Sequence, residues 1–338
     1  MTRPHDAMVW DQDNLSVETW RRFERFAGRD LIAEPIVRGG SGRTFYRLRL
    51  PGDNESMILM QYTLDRPDHG HFLPASRFLD GLGVRVPKVL DADDTLHLVW
   101  LEDLGREDLW SLRDQPWSIV FPYYRAALRE AAKLHRIHES DIDCPLQPPF
   151  DAALYRWEQE YFVRHFLEKF CGLSSEEGNS VLTQQGFSTL TQDLAALPRS
   201  LVHRDFQSQN VMVKNGSVYL IDYQGIRWGR PEYDLASLLL DPYVYLTRDM
   251  RESLLDFYLE SFQPDRDPSD FREIYRACAA QRLMQALGAY GYLSLTAGKT
   301  FYLNFIPMAT QRLAMVLEEG KLLEFLLPFL RSERLALP

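Results

Sequence analysis

Residues 201–224 read LVHRDFQSQNVMVKNGSVYLIDYQ. Three side chains in this stretch have the types and spacing that phosphoryl transfer needs. Asp205 closes a His-Arg-Asp triplet, Asn210 follows five residues later, and Asp222 comes twelve residues after that. A carboxylate placed like Asp205 can orient an acceptor hydroxyl and take its proton. An amide oxygen and a second carboxylate can hold a divalent ion against nucleotide phosphates. His203 is expected to brace the loop backbone rather than to react.

The elements between these residues must bring them to one place. Residues 211–213 (VMV) and 217–221 (SVYLI) are apolar and rich in β-branched side chains, and Lys214-Asn215-Gly216 lies between them. Asn-Gly between two such runs predicts a β-hairpin, which returns Asp222 to the end where Asn210 starts. Upstream, residues 17–27 have helical spacing (Trp20, Phe23, Phe26), with Ser16 as N-cap and Gly28 past the end. The segments EPIVRGGSGRTFYRLRLPGD and ESMILMQYTL read as strand, glycine-rich turn, strand, strand. HFLPASRFLDGLG reads as a helix across this small sheet, and VRVPKVLDADDTLHLVWLEDLG as two more strands. From Arg106 on, helical patterns dominate, including 123–140, 151–172 and 176–197. The expectation is an α+β chain of two lobes: a nucleotide lobe at 1–101, a hinge at 102–105, and a helical lobe at 106–338.

Composition narrows the class. The 338 residues carry a formal net charge of −10, which argues against nucleic acid, because phosphate backbones need an excess of Lys and Arg. Three scattered cysteines (Cys144, Cys171, Cys278) make no disulfide framework and suit a reducing cytoplasm. The first fourteen residues are polar, without the apolar stretch of a signal peptide, and no run is long enough to span a membrane.

The sequence resembles the aminoglycoside phosphotransferase and choline kinase-like branch of the kinases. IDYQGIRWGRPEYDLASLL resembles that branch's Asp-strand and Gly-Pro-x-x-x-Asp-Leu pattern, while no D-F-G, activation segment or A-P-E is present. Within the branch, SGRTFYRLRL, MILMQY, VPKVLDAD, LVWLEDLG, HRDFQSQNVM, IDYQ and LGAYGYLSLTAGKTFYLNFIP are similar to the anomeric N-acetylmuramate/N-acetylglucosamine kinases of cell-wall recycling. The resemblance spans about residues 34–310. It implies a two-lobe protein kinase-like fold, ATP and Mg2+ as cofactors, and a small-molecule acceptor. Asp205 becomes the catalytic base, Asn210 and Asp222 the metal ligands, and Asp234 a buried brace of the catalytic loop.

The third strand, SMILMQY, carries Met60 where kinases usually place a lysine on the α- and β-phosphates, and the amino-sugar kinases also read I-L-M there. Arg43 and Arg47, on one face of the strand after the turn, are candidates to replace that charge. Gly39, Gly40, Ser41 and Gly42 would let backbone amides approach phosphate oxygens. The hinge at Trp100 to Leu104 would bond the adenine edge, with Glu102 and Asp103 near the ribose. For the acceptor, the candidates are Arg204, Gln207 and Gln209 in the loop, Gln224 after the metal Asp, and Glu158, which resembles a recurring Glu of the amino-sugar kinases. Uncharged amides suit a sugar better than a polycationic aminoglycoside. An aminoglycoside, choline-like alcohol or homoserine acceptor remains open, as does a nucleotide-binding module without activity, which the missing lysine suggests.

Overall fold

The computed structural model describes residues 12–36, 43–52, 55–63, 70–139 and 146–331. The chain divides into two compact units, one of residues 1–70 and 87–104, the other of 71–86 and 105–338. The smaller unit carries α1 (Gln12–Arg22) and five strands: β1 (Ile32–Ile36), β2 (Thr44–Arg49), β3 (Ser56–Gln61), β4 (Val89–Asp93) and β5 (Leu98–Glu102). They form one antiparallel sheet in the order β1-β2-β3-β5-β4. Its core joins Leu48, Met57, Leu59, Leu98 and Trp100 of the sheet to Leu15 of α1 and to Phe26 and Leu31. The buried Trp100 indole donates to Thr19 Oγ1 at 3.0 Å, so the helix is pinned by a satisfied polar contact as well as by area.

The first helix runs earlier than its sequence suggests. Leu15 is buried against the sheet and draws the helix back to Gln12, which leaves Ser16 inside the helix as a buried residue rather than at its cap. A separate short 3-10 turn, Glu24–Phe26, then inserts Phe26.

The larger unit is mostly helical: α2 (Phe72–Gly81), α3 (Trp117–His135), α4 (Ala152–Phe162), α5 (Ser175–Leu182), α6 (Gln185–Ala196), α7 (Pro231–Leu239), α8 (Arg248–Phe262), α9 (Pro268–Leu295), α10 (Ile306–Gly320) and α11 (Leu327–Leu330). Two small ribbons interrupt it. β6 (Ser200–Val202) pairs with β9 (Arg227–Gly229), and β7 (Val211–Lys214) with β8 (Ser217–Leu220). The turn of the second ribbon has Asn215 at φ 51° and Gly216 at φ 74°, the left-handed pair that an Asn-Gly hairpin uses.

Two stretches depart from simple helical periodicity. The pattern over 151–172 breaks into α4 and a π-helical turn at Val163–Glu168. α9 packs closely against this turn. A Cβ on Gly291 would sit 2.2 Å from the His165 carbonyl oxygen, and one on Gly288 3.0 Å from Phe162 N, so α9 comes up against this backbone only because both positions are glycine. The pattern over 176–197 is two helices, with α5 started by a capping box of Ser174 and Glu177. Residues 71–86 group with the larger unit, although the sequence reads 71–83 as a helix across the small sheet. Phe72 stacks on Tyr223 at 5.2 Å, and Ser76 Oγ hydrogen-bonds the Tyr223 hydroxyl at 2.7 Å.

Candidate active site

The chain leaves β6 at Val202, whose antiparallel partner on β9 is Arg227, and enters the loop that carries His203, Arg204 and Asp205. Arg204 has φ 76°. A non-glycine residue held there costs about 1–2 kcal/mol, so something must hold the backbone. Asp234, fully buried at the first turn of α7, does so: its Oδ2 accepts from His203 N at 2.7 Å and its Oδ1 from Arg204 N at 2.8 Å. Oδ2 also faces His135 Nε2 at 3.1 Å, and the other ring nitrogen of His135 meets the Tyr258 hydroxyl at 2.8 Å. His203 Nε2 lies 3.0 Å from the Ile221 carbonyl; a carbonyl only accepts, so this nitrogen carries a proton. The bond ties this loop to the residue before Asp222.

The rest of the loop closes on itself. Asn210 Nδ2 donates to the Asp205 carbonyl at 2.9 Å, Gln207 N to the same carbonyl at 2.9 Å, and Ile221 N to the Asn210 carbonyl at 3.0 Å. Ser208 N donates to the buried carboxylate of Asp241 at 2.7 Å. Asp205, Asn210 and the segment leading to Asp222 therefore share one hydrogen-bonded frame. Asp222 has φ 63°, a left-handed turn that Asp tolerates better than most residues, and its Oδ1 accepts from Gln224 Nε2 at 3.0 Å.

This donor set fits a magnesium ion. With Nδ2 of Asn210 spent on the Asp205 carbonyl, the oxygen Oδ1 is the atom that amide has to offer, and Asp222 adds a carboxylate; both are hard oxygen donors. Among the described residues no cluster of three His, Cys, Asp or Glu could hold a metal alone. Magnesium bound through one or two protein oxygens and completed by nucleotide phosphates needs no such cluster.

The electrostatics favour an ionised Asp205. Its side chain is 27% exposed and pairs with Arg204 at 2.9 Å. Burial pushes its carboxyl up, but the charges of Arg204, Arg282 and Arg227 outweigh burial and hold it below its ordinary value. The attraction of Asp205 raises the Arg204 guanidinium in turn.

The other expected site residues fall into three groups. Gly39, Gly40, Ser41 and Gly42 lie outside the described residues. Gln207 and Gln209 are half-buried in the loop, and Gln224 is largely buried beside Asp222. The remaining candidates are engaged by protein partners. Arg47 and Asp103, read separately as phosphate and ribose contacts, grip each other in a two-pronged pair (Nε–Oδ2 2.6 Å, Nη2–Oδ1 3.1 Å), and Ser56 Oγ adds a third bond at 2.6 Å. Arg43 is buried with its guanidinium 5.7 Å from the Phe45 ring. Glu102 accepts weakly from Lys88 N. Glu158 is fully buried, its two oxygens accepting from the Tyr233 hydroxyl and Gln281 Nε2, each at 3.0 Å, and burial raises its carboxyl. A carboxylate enclosed in this way ties α4 to α7 and α9.

Sequence reasoning missed Arg227 and Arg282, the buried arginines that act on Asp205, and Asp241, His135 and Tyr233, which shape the loop from outside it. The available signal was a charged or polar side chain inside an apolar run, as in LLLDPY and AAKLH.

The model of the phosphotransferase enzyme family (APH) matches residues 32–274. Among curated proteins, the chain is 27% identical over 306 residues to an N-acetylmuramate/N-acetylglucosamine kinase of Neisseria meningitidis serogroup B, covering 88% of each chain. It is 24% identical over 305 residues to one of Pseudomonas putida, covering 88% of this chain and 87% of the other. Among solved structures, it is similar to a choline/ethanolamine kinase family protein of Mesorhizobium loti, with TM-score 0.60 and 18% identity over 94% of this chain and 98% of that one. It is also similar to an aminoglycoside-3'-phosphotransferase of type VIII, with TM-score 0.53 and 19% identity over 82% and 100%. Both structures share the fold.

Proposed function

The chain belongs to the phosphotransferase enzyme family and is a small-molecule kinase acting on an alcohol; we propose that this alcohol is the anomeric (C1) hydroxyl of N-acetylmuramate and/or N-acetylglucosamine, with ATP as donor and Mg2+ beside it. The observation that carries the chemistry is the loop frame. A half-buried, ionised Asp205 stands on a backbone fixed by Asp234, with Asn210 bonded to its carbonyl. The sugar is supported by the relatives' names and by the uncharged amides of Gln207, Gln209 and Gln224 around the loop.

In this reading Asp205 orients the acceptor hydroxyl and takes its proton as the bond to the phosphoryl group forms. Its low carboxyl keeps it ready as a base at neutral pH. Asn210 and Asp222 would hold magnesium, which neutralises phosphate charge when bound. Arg204 counters the Asp205 charge until the acceptor arrives. Gly39 to Gly42 would cradle phosphates. Arg43 remains the candidate for the missing lysine's charge, while Arg47 and Asp103 act as a pair that fixes the end of β5. We place the enzyme in the cytoplasm, where ATP is supplied; among the described residues no helix is long and apolar enough to cross a membrane.

The test is a coupled ADP-release assay with ATP, magnesium and a panel of N-acetylmuramate, N-acetylglucosamine, glucosamine, kanamycin, choline and homoserine. Turnover on the N-acetylated sugars with an acid-labile 1-phosphate as product is the expected result. Turnover confined to another acceptor would replace the sugar assignment. ATP binding with no turnover on any acceptor would point to a nucleotide-binding module.

A further inference from the structure

Two buried arginines near Asp205 enter the reading above only through their charge on that carboxylate. Arg282 is tied to neutral side chains, its Nε donating to Ser237 Oγ at 3.0 Å and its Nη1 to Gln285 Oε1. Arg227 is less satisfied. Its Nε donates to the Gly225 carbonyl at 3.1 Å and its guanidinium lies 5.4 Å from the Phe150 ring centre, yet neither terminal nitrogen has a hydrogen-bond partner among the described residues. No carboxylate of those residues lies within ion-pair distance of it, although the side chain is only 8% exposed.

The nearby carboxylates are already engaged. Asp205 answers Arg204 at 2.9 Å, and Glu158 is enclosed by Tyr233 and Gln281. Asp205 and Glu158 attract Arg227 without pairing with it, and a largely buried guanidinium that lacks a paired carboxylate does not escape the cost by losing its proton. Burial and the neighbouring Arg204 lower Arg227 only to about 10, so it stays charged at neutral pH. The site thus holds an unpaired cation near Asp205. Arg227 lies opposite Val202, immediately before the catalytic loop, and it is anchored on Gly225, where a Cβ would sit 3.9 Å from Asp205 Oδ2.

We infer that Arg227 is an anion subsite of the acceptor site and takes the carboxylate of an acidic amino sugar. The enzyme then discriminates an N-acetylated sugar bearing a carboxylate, as the lactyl ether of N-acetylmuramate does, from its neutral counterpart. This rests on the amino-sugar reading above. The terminal nitrogens supply the two parallel donors that a carboxylate accepts.

The test compares kcat/KM for N-acetylmuramate, its lactyl amide and N-acetylglucosamine on the full-length enzyme and on R227K and R227Q. Wild type should prefer the free acid over the amide by about 30- to 100-fold, mostly through KM, as a desolvated charge pair gives. R227Q should abolish that preference and R227K should keep part of it. Equal use of acid and amide by the wild type overturns the inference without any variant. So does an R227Q that lowers kcat alike for every acceptor, which would assign Arg227 to the transferring phosphoryl group or to the fold. A wild type that phosphorylates none of the three sugars overturns the amino-sugar reading itself, and the inference with it.

Discussion

Replacing Asp234 with asparagine tests whether one carboxylate holds the catalytic loop in shape. Asp234 accepts three hydrogen bonds in a fully buried setting, from His203 N, Arg204 N and His135 Nε2. Asparagine has one acceptor oxygen and an NH2 group. If the oxygen stays toward His203 and His135, the NH2 meets the Arg204 N–H, donor against donor. One buried amide then loses its partner, at about 1–3 kcal/mol. The two surviving bonds lose their charge assistance, roughly a further 1 kcal/mol. A destabilisation of about 3 kcal/mol corresponds to a fall in melting temperature of roughly 6–12 °C for a unit of this size. The backbone of Arg204 would no longer be held in its left-handed conformation, so turnover should fall by more than tenfold even below the melting range. Thermal unfolding by circular dichroism and turnover at 20 °C read the two effects separately. A D234N protein that melts within 2 °C of wild type and turns over within threefold of it would refute the argument that this carboxylate braces the loop.

D205N should lower turnover by about 10³-fold or more, because the base is gone, with ATP affinity by calorimetry within a few fold; a variant that keeps most of its activity would remove Asp205 from the mechanism. The pH dependence has a defined sign. The folded-state carboxyl of Asp205 lies below its ordinary 3.8, so its stabilisation is complete above that value and is lost as pH falls through the lower one. R204M removes the first of the charges that oppose burial, so the acid limb of the kcat/KM profile should move to higher pH; an unmoved limb would mean that Arg204 does not set the base. G291A forces a methyl group into the His165 carbonyl, and a loss of about 2–4 kcal/mol is expected by chemical denaturation; a G291A protein as stable as wild type would show that the π-helical turn can yield.

The hairpin between Asn210 and Asp222 was legible because its information is local. Asn215-Gly216 specifies a turn within four residues, and the turn fixes how Asn210 and Asp222 return to one end. What the sequence did not disclose depends on distant partners. The pairing of Arg47 with Asp103 spans 56 positions, so two residues read as ligand contacts gave no sign that they satisfy each other. The break after α4 lies against glycines on α9, more than a hundred residues away. Glu158 was visible as a polar residue on a helix, but its enclosure by Tyr233 and Gln281 is a property of three separate helices. Arg227 sits in a three-residue strand whose pattern hides whether its charge is answered.

The larger unit draws on two stretches of chain, 71–86 and 105–338, and this has a consequence for the order of synthesis. α2 leaves the ribosome well before its partners do: Ser76 must wait for Tyr223, 147 residues later. At roughly 5–20 residues per second that interval is about 7–30 s. During it the apolar side chains of α2, Phe72 and Leu79 among them, have no native surface to cover them. The first-made segment of the unit therefore stays uncovered for that interval, which leaves nascent α2 open to chaperone capture. It also means that a fragment beginning at residue 105 lacks one of the unit's own helices.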